Sequence, residues 1–407
     1  MTEYSAKPFE GLRVLDFCWV VIGPMTTRYF SDFGAEVLRV ESSLRPDVIR
    51  HGLPFAEGKP GVNRSGYWAN YNSGKLGLGL NMADERARNL AFRLATEWAD
   101  VVTENFTPGT MEKWGLGYDA LRKHNPGLVM FSASMLGRGG PYDSQPGFGP
   151  VLTALSGHTN FTGWPDRVPV SPYGAYTDFL IPHIAFSAVC AALDHKRRTG
   201  QGQYLDLSQL EAALYFAGPP VLDYLANGRI QTRNGNHDPD MAPHAVYRCD
   251  GNDRWCAIAC PTDAAWHALA QTIDRPDLAD DATLATLDGR KQREAELDAA
   301  IEAWTITRSP DEAMQACQAV GVAAGAVRDC RDLFDDPQEA HRGHFVFMDH
   351  PEMGRYASDA NCFQLSETAP DYRRSPLLGE HTEYVMRELL GMPESEYRAL
   401  SDDGVFE

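Results

Sequence analysis

The chain has 407 residues, with 37 Lys and Arg against 56 Asp and Glu for a formal charge of -19, and 43% of its residues are hydrophobic. At about 100–200 residues per domain, that length predicts two or three domains with at least one large core, and it excludes a small disulfide-stapled module. The acidic balance argues against a broad nucleic-acid or anionic-membrane surface, which needs net positive patches, and leaves room for small anionic ligands held by local cations.

The elements open as strand, loop, helix, strand. LRVLDF is short and alternating, a loop reaches Gly23 and Pro24, MTTRYFSDFG is a predicted helix ending at Gly34, and EVLRVE is a second strand. A helix over DERARNLAFRLATEWA leads into the strand DVVTENF, another helix covers Tyr118 to His124, and GLVMFSAS is a further strand. Such alternation predicts an α/β domain with a mostly parallel sheet between helices. From Phe179 to Lys196 the sequence is long, apolar and Ala-rich, as a buried helix would be, and it ends at KRRTGQGQ. After YLDLSQLEAALYFAG the character changes: RNGNHDPDMAP is a loop, and YRCDGNDRWCAIAC reads as two strands around a turn. A smaller α+β domain is therefore expected over 225–335, largely helical between Ala264 and Leu333, with 1–224 the larger domain. The segment 336–407 returns to short strands (HFVFMDH, RYASDANCFQL) and a final helix, EHTEYVMRELLG.

Eight cysteines, at positions 18, 190, 249, 256, 260, 317, 330 and 362, are too sparse for a disulfide framework. Cys249, Cys256 and Cys260 lack a CxxC step, so no metal is expected there. MTEYSAKPFEGLRVLDF has no basic run followed by an apolar core, and no stretch approaches about 18 uninterrupted apolar residues. The chain reads as cytoplasmic.

Motifs narrow the chemistry. Glu41 ends the second strand where a ribose-binding acid would sit, but a pyrophosphate loop needs G-x-G-x-x-G, and CWVVIGPMTT offers Gly23 alone. Walker A, G-x-S-x-G and H-E-x-x-H patterns are missing as well. What stands out is Asp178, an acid closing a polar segment directly before the long apolar helix. It is either a helix N-cap, for which aspartate is well suited, or a carboxylate nucleophile.

The stretch from Asp178 through HKRRTGQGQYLDLSQLEAAL resembles the signature of the class III coenzyme A transferases, the formyl-CoA transferase and carnitine CoA-transferase family. The resemblance spans nearly the whole chain, through FEGLRVLDFCWVVIGPMTTRYFSDFGAEVLRVE, ENFTPGTMEKWGLGYDAL, GRGGPYDSQPGF, AVGVAAGAVRDCRDLFDDPQ and SPLLGEHTEYV. It implies a large Rossmann-like domain built from both chain ends, a small domain between them, and an interlocked dimer, either a homodimer or a heterodimer with a related subunit. It implies that Asp178 attacks an acyl-CoA thioester, with no permanently bound cofactor and CoA thioester as substrate. Glycine loops suited to oxyanion stabilisation or to a lid are Gly137, Gly139 and Gly140, and Gly235 with Asn236. For CoA the resemblance implies Val20, Val21, Ile22, Asn72, Lys75, Asn105, Phe106 and Lys113. Arg39 and Arg138 are expected as further cations for its phosphates.

The wording of DFCWVVIGPMTT, VESSLRPDVIR and YWANYNSGKLGLGLNM is similar to the succinyl-CoA:benzylsuccinate branch of anaerobic aromatic degradation. It implies (R)-benzylsuccinate as acceptor, with Arg45, Arg50, Trp19, Trp68 and Tyr71 as a basic anchor and apolar pocket. Two alternatives stand beside it. An acyl-CoA racemase of the same fold would use His183 with Asp178, and a non-catalytic subunit would keep Asp178 as a cap only.

Overall fold

The computed structural model describes residues 7–407; the first six, part of the N-terminal stretch read for a leader, lie outside the described residues. Strand β1 (Arg13–Asp16) is the centre of a six-stranded parallel sheet with β2 (Glu36–Glu41), β3 (Leu76–Gly79), β4 (Val101–Glu104), β5 (Val129–Ser134) and β6 (Tyr204–Ser208). Successive residues feed opposite cores. Val14, Val37, Val101 and Val129 face one, whereas Leu15, Leu38, Val102 and Met130 face the other. Burial of both faces is what a helix-covered parallel sheet requires. The strand order β3-β2-β1-β4-β5-β6 is that of a Rossmann sheet, in which the winding reverses between β1 and β4 and a crevice opens at their carboxyl ends.

The α-helices before residue 230 are α1 (Ile22–Asp32), α2 (Gly66–Tyr71), α3 (Glu85–Arg93), α4 (Thr110–Lys113), α5 (Tyr118–Leu121), α6 (Gly149–Leu155), α7 (Tyr176–Thr199), α8 (Gln209–Tyr215) and α9 (Gly218–Asn227). α7 begins three residues before the expected start at Phe179. Its Ile181, Ala185, Val189 and Ala192 recur at helical spacing and are fully buried in the core beside β5. By length and composition α7 is also long and apolar enough to cross a bilayer, but this stripe is already occupied by the sheet. Pro182 lies within it and has no N–H to offer the carbonyl of Asp178, four residues earlier.

β3 is a strand that the sequence reading missed. Its LGLG alternates, but glycine weakens strand propensity. Both glycines are needed here, because a Cβ at Gly77 would lie 2.7 Å from the Leu377 carbonyl oxygen and one at Gly79 2.5 Å from that of Phe406. The helix expected over EHTEYVMRELLG is a single turn, Thr382–Tyr384, running into a π-helical turn, Val385–Leu389, and it is not the last. Gly391 at φ 67° breaks the chain direction, and Pro393 caps a further helix, Glu394–Asp402. The hairpin β10 (Phe345–His350) and β11 (Gly354–Asp359), numbered after the strands described next, is tied to α2 by the Asn70 side chain, which accepts from Ser358 Oγ at 2.7 Å.

The chain divides into two compact units: Met1–Thr159, Ser171–Ile230 and Ala340–Glu407 form one, and Asn160–Val170 with Gln231–Glu339 the other. The boundary placed at residue 225 falls inside α9. The run 160–170 joins the second unit because Gly235 N–H donates to the Gly163 carbonyl at 2.8 Å and Arg233 to that of Asn160 at 3.1 Å. A composition shift carries no sign of such a return. In the second unit β7 (His244–Arg248), β8 (Trp255–Ala259) and β9 (Ala323–Ala326) form an antiparallel sheet. Cys249, Cys256, Cys260 and Cys317 sit in its core with Trp266 and Leu269. Burial pushes the Cys256 and Cys260 thiols up to about 12, so they behave as small hydrophobes.

Candidate active site

The site is built at the carboxyl ends of the sheet. Asp16, last in β1, is fully buried and accepts from Cys18 N–H at 2.9 Å, Thr27 Oγ1 at 2.8 Å, Thr103 Oγ1 at 2.9 Å and Lys75 Nζ at 3.0 Å. Burial opposes its charge, but Lys75 and Arg39 outweigh burial and hold the carboxyl at about 2. Arg39 donates to Asp47 Oδ2 at 2.8 Å, and Arg50 forks onto Glu41 with two 2.8 Å bonds while stacking 3.4 Å over Trp68.

These pairings bear on several expected site residues. Arg39, Lys75 and Asn72 were read as CoA contacts, yet all three are buried. Lys75 spends its three N–H bonds on Asp16, the Pro24 carbonyl and Asn72 Oδ1. Removing either cation from its carboxylate would strand buried charge, so both already serve the packing of the strand ends. Arg50 and Trp68, expected beside the acceptor, are likewise buried, with Arg50 paired to Glu41. Arg138 is pinned between Glu112 at 2.7 Å and Glu104 at 3.3 Å, which makes it a brace between its loop and α4.

Other expected residues of the first unit follow the carboxyl ends of β1, β4 and β5. Val20 is half-buried at the turn after β1, whereas the side chains of Val21 and Ile22 point into the core, leaving their main chain to the site. Asn105, directly after β4, accepts from Trp19 N–H at 2.7 Å and donates to the Trp19 carbonyl at 2.8 Å, spanning the point where the winding reverses. Phe106 lies edge-on to both Trp19 and Trp114. Lys113 is exposed at the end of α4. In the Gly137–Gly140 loop, Arg138 N–H donates to Asp206 and Gly139 N–H to Asp143, so those two donors are already engaged. Gly235, at φ 61°, and Asn236, whose carbonyl faces His244 Nδ1 at 2.6 Å, belong to the second unit.

Asp178 is not a cap. The N-cap of α7 is Ala175, and Asp178 is the third helical residue, its N–H donating to the Ala175 carbonyl at 2.8 Å. Its side chain is 6% exposed, and its Oδ1 has no hydrogen-bond partner among the described residues. Burial raises the carboxyl to about 7, which makes the carboxylate a far better nucleophile and base than a solvated one. Phe179, the next residue, belongs to a group of aromatic rings: Tyr71 lies 6.3 Å from it, Tyr67 5.3 Å from Tyr71, and Tyr173 6.5 Å from Phe179. Burial and the charge of Asp178 push the Tyr67 phenol up to about 12, so it keeps its proton at neutral pH. His183 faces elsewhere. Five residues on, it is rotated about 140° around the helix, and its nitrogens meet Tyr29 OH at 3.1 Å and the Leu180 carbonyl at 3.2 Å.

Sequence reasoning missed Tyr67, Asp47 and Gly149. The last could have been flagged by Phe148-Gly149-Pro150, a helix start with a residue of no side chain. A Cβ there would come 2.4 Å from Asp178 Oδ2 and 2.3 Å from Ala175 Cβ.

A Rossmann sheet with a buried, unpartnered carboxylate at the head of a core helix defines a class that comparison identifies. Residues 9–382 match the model of CoA-transferase family III. The chain belongs to that family and is an enzyme of the CoA-transferring class. It is 35% identical over 98% of its length to the probable CoA-transferase Rv1866 of Mycobacterium tuberculosis, of which it spans 50%. It is 32% identical to the succinyl-CoA–L-malate CoA-transferase beta subunit of Chloroflexus aurantiacus, covering 97% of each chain. A solved CAIB/BAIF family protein from Brucella suis superimposes with a TM-score of 0.86 at 30% identity, over 95% of this chain and 100% of that one.

The close approach of α6 to the carboxylate gives a test. Gly149→Ala is expected to lower kcat by about 100-fold through displacement of Asp178, with the unfolding transition still cooperative. Steady-state CoA exchange measures it, and an unchanged kcat would show that the carboxylate has room to spare.

Proposed function

We propose that the chain transfers CoA from succinyl-CoA to a second dicarboxylic acid with Asp178 as nucleophile. The observation that carries the reading is the buried Asp178 carboxylate, free of hydrogen bonds at Oδ1 and raised to about 7. The carboxylate adds to the thioester carbonyl; the C–O bond forms, the C–S bond breaks, and CoA leaves as thiolate. The thiolate attacks the aspartyl carbonyl of the resulting anhydride and releases succinate, leaving an aspartyl-CoA thioester. The acceptor carboxylate attacks that thioester, expelling the thiolate, which then takes the acceptor's acyl group and regenerates Asp178. Thioester energy is kept throughout, so the absence of a phosphate-binding loop in the sequence is consistent with the reaction.

Lys113 is the exposed cation best suited to the CoA phosphates. The loop at Gly235 and Asn236 is proposed to close the site from a partner subunit in an interlocked dimer, and the Chloroflexus relative, named as a beta subunit, supports a heteromeric variant. That name also supports a succinyl donor and a dicarboxylate acceptor. For the acceptor we propose a succinate with an aryl arm, (R)-benzylsuccinate the specific compound. The rings of Tyr67, Tyr71, Tyr173 and Phe179 offer the apolar wall, and Arg45, 5.8 Å over Trp19, the cation. Burying a phenyl group contributes about 2–3 kcal/mol, or roughly 30- to 150-fold over methylsuccinate. The second reading is a small hydroxydicarboxylate such as L-malate, favoured by the relative.

A panel of acids assayed for CoA exchange with succinyl-CoA decides between them. Benzylsuccinate is expected to accept fastest. A faster L-malate would move the acceptor to the small acids, and no exchange with any acid would end the transferase reading. Deuterium entering the α-position of a chiral acyl-CoA without an acceptor would put the racemase alternative in its place.

A further inference from the structure

The turn between β1 and α1 holds a conformation that its sequence disfavours. Val20 lies at φ 68°, in the left-handed region where a β-branched side chain crowds the backbone. Strain of this kind persists only where the surroundings over-determine it, and it gathers at functional sites. Three side chains grip the turn in succession. Asp16 accepts from Cys18 N–H at 2.9 Å, Asn105 brackets Trp19 through both its N–H and its carbonyl, and Asp47 Oδ2 accepts from Val20 N–H itself at 3.0 Å. Asp47 is fully buried. Its Oδ1 takes Ile49 N–H at 3.2 Å, and its Oδ2 also receives Arg39 at 2.8 Å. Arg39 thus neutralises the acceptor that grips Val20.

What this turn delivers is the start of α1. Val21 is the N-cap and Ile22 the first helical residue, so the leading N–H groups of α1 precede any intrahelical acceptor. Ile22 shares a core with Ile181, three residues beyond Asp178 on α7. The Tyr67 phenol lies within electrostatic reach of both Asp178 and Asp47. The helix that the clamp starts therefore shares its core with the helix that carries the nucleophile.

We propose that Asp47 is a positioning residue for the transfer reaction: by holding Val20 N–H it keeps the strained turn, and with it the leading N–H groups of α1, fixed beside Asp178. This inference rests on the reading of Asp178 as nucleophile. It adds no chemical step of its own. A merely structural aspartate would be insensitive to the conformational preference of residue 20, whereas a clamp on a strained turn becomes dispensable when that turn is no longer strained.

The test follows from that difference. In Asp47→Ala, kcat for CoA exchange is expected to fall about 100-fold while KM for acyl-CoA changes less than about threefold. Adding Val20→Gly is expected to return about tenfold, since glycine takes positive φ without a clamp. Should the alanine variant not fold, Asp47→Asn carries the same comparison, with a fall of about tenfold recovered by Val20→Gly. A double variant no faster than the single one overturns the proposal, as does a loss confined to KM. Amide hydrogen exchange of the segment 17–24 is read on the same proteins and is expected to quicken when Asp47 is replaced; equal exchange overturns the clamp whatever the activity. A wild-type protein without CoA exchange would sink the role of Asp178, and hydrogen exchange would still decide the clamp.

Discussion

Asp178→Asn is expected to lose CoA transfer by at least about 10³-fold, because the amide it introduces is a far poorer nucleophile than a carboxylate and no covalent intermediate can form on it. Incubating the wild-type enzyme with succinyl-CoA and then hydroxylamine should label Asp178 and no other carboxylate, and the asparagine variant should stay unlabelled. An unlabelled wild type that still turns over would remove Asp178 from the reaction. The pH profile carries a second signature. The carboxyl titrates near 7, raised by burial, and only its ionised form attacks. Turnover limited by this group should rise with pH and level off above 7, with about one-tenth of the nucleophile ionised one unit below.

The same substitution should stabilise the fold at alkaline pH. Asp178 ionises at about 7 in the folded chain against an ordinary 3.8, so the folded state holds this proton more tightly than the unfolded one. Its contribution is fully present below pH 3.8 and is lost progressively as pH rises through 7. Asparagine has no charge to bury and escapes that loss. At pH 8 the variant should therefore exceed wild type by as much as about 4 kcal/mol, and near pH 4 the two should be close. Denaturant unfolding at the two pH values measures the gap. A gap that does not change with pH would mean that burial of the charge is not its cause. Activity and stability would then move in opposite directions at one residue, as expected where a site keeps a group that the fold would rather not bury.

How much of this was legible beforehand depended on the range of the interaction. Alternation in RVLD and EVLRVE, and the four-residue spacing of Ile181, Ala185 and Val189, are local signals, and the α/β class follows from them. Asp178 was conspicuous as an acid at the head of an apolar run. Its motif also marked the family, since the HKRRTGQGQ turn and the strand after it form one contiguous string. Where a glycine hid a strand, as at Leu76–Gly79, the reason lay about 300 residues away, in the carbonyls of Leu377 and Phe406.

The cations separated the two levels most clearly. Sequence alone marked Arg39, Lys75, Lys113 and Arg138 as candidate CoA contacts and Arg50 as a candidate acceptor anchor, because charge and position are properties of the string. Only the tertiary structure decided which of them are paired within the chain, because that depends on which carboxylates the fold brings within about 3 Å. Asp16, Glu41 and Asp47 claim Lys75, Arg50 and Arg39, and Glu104 with Glu112 claims Arg138, while Lys113 stays exposed. The same holds for the nucleophile. Its residue type was written in the chain, but its raised pKa comes from burial, with Gly149 of another helix close against the carboxylate, and burial is a property that no single segment of the sequence possesses.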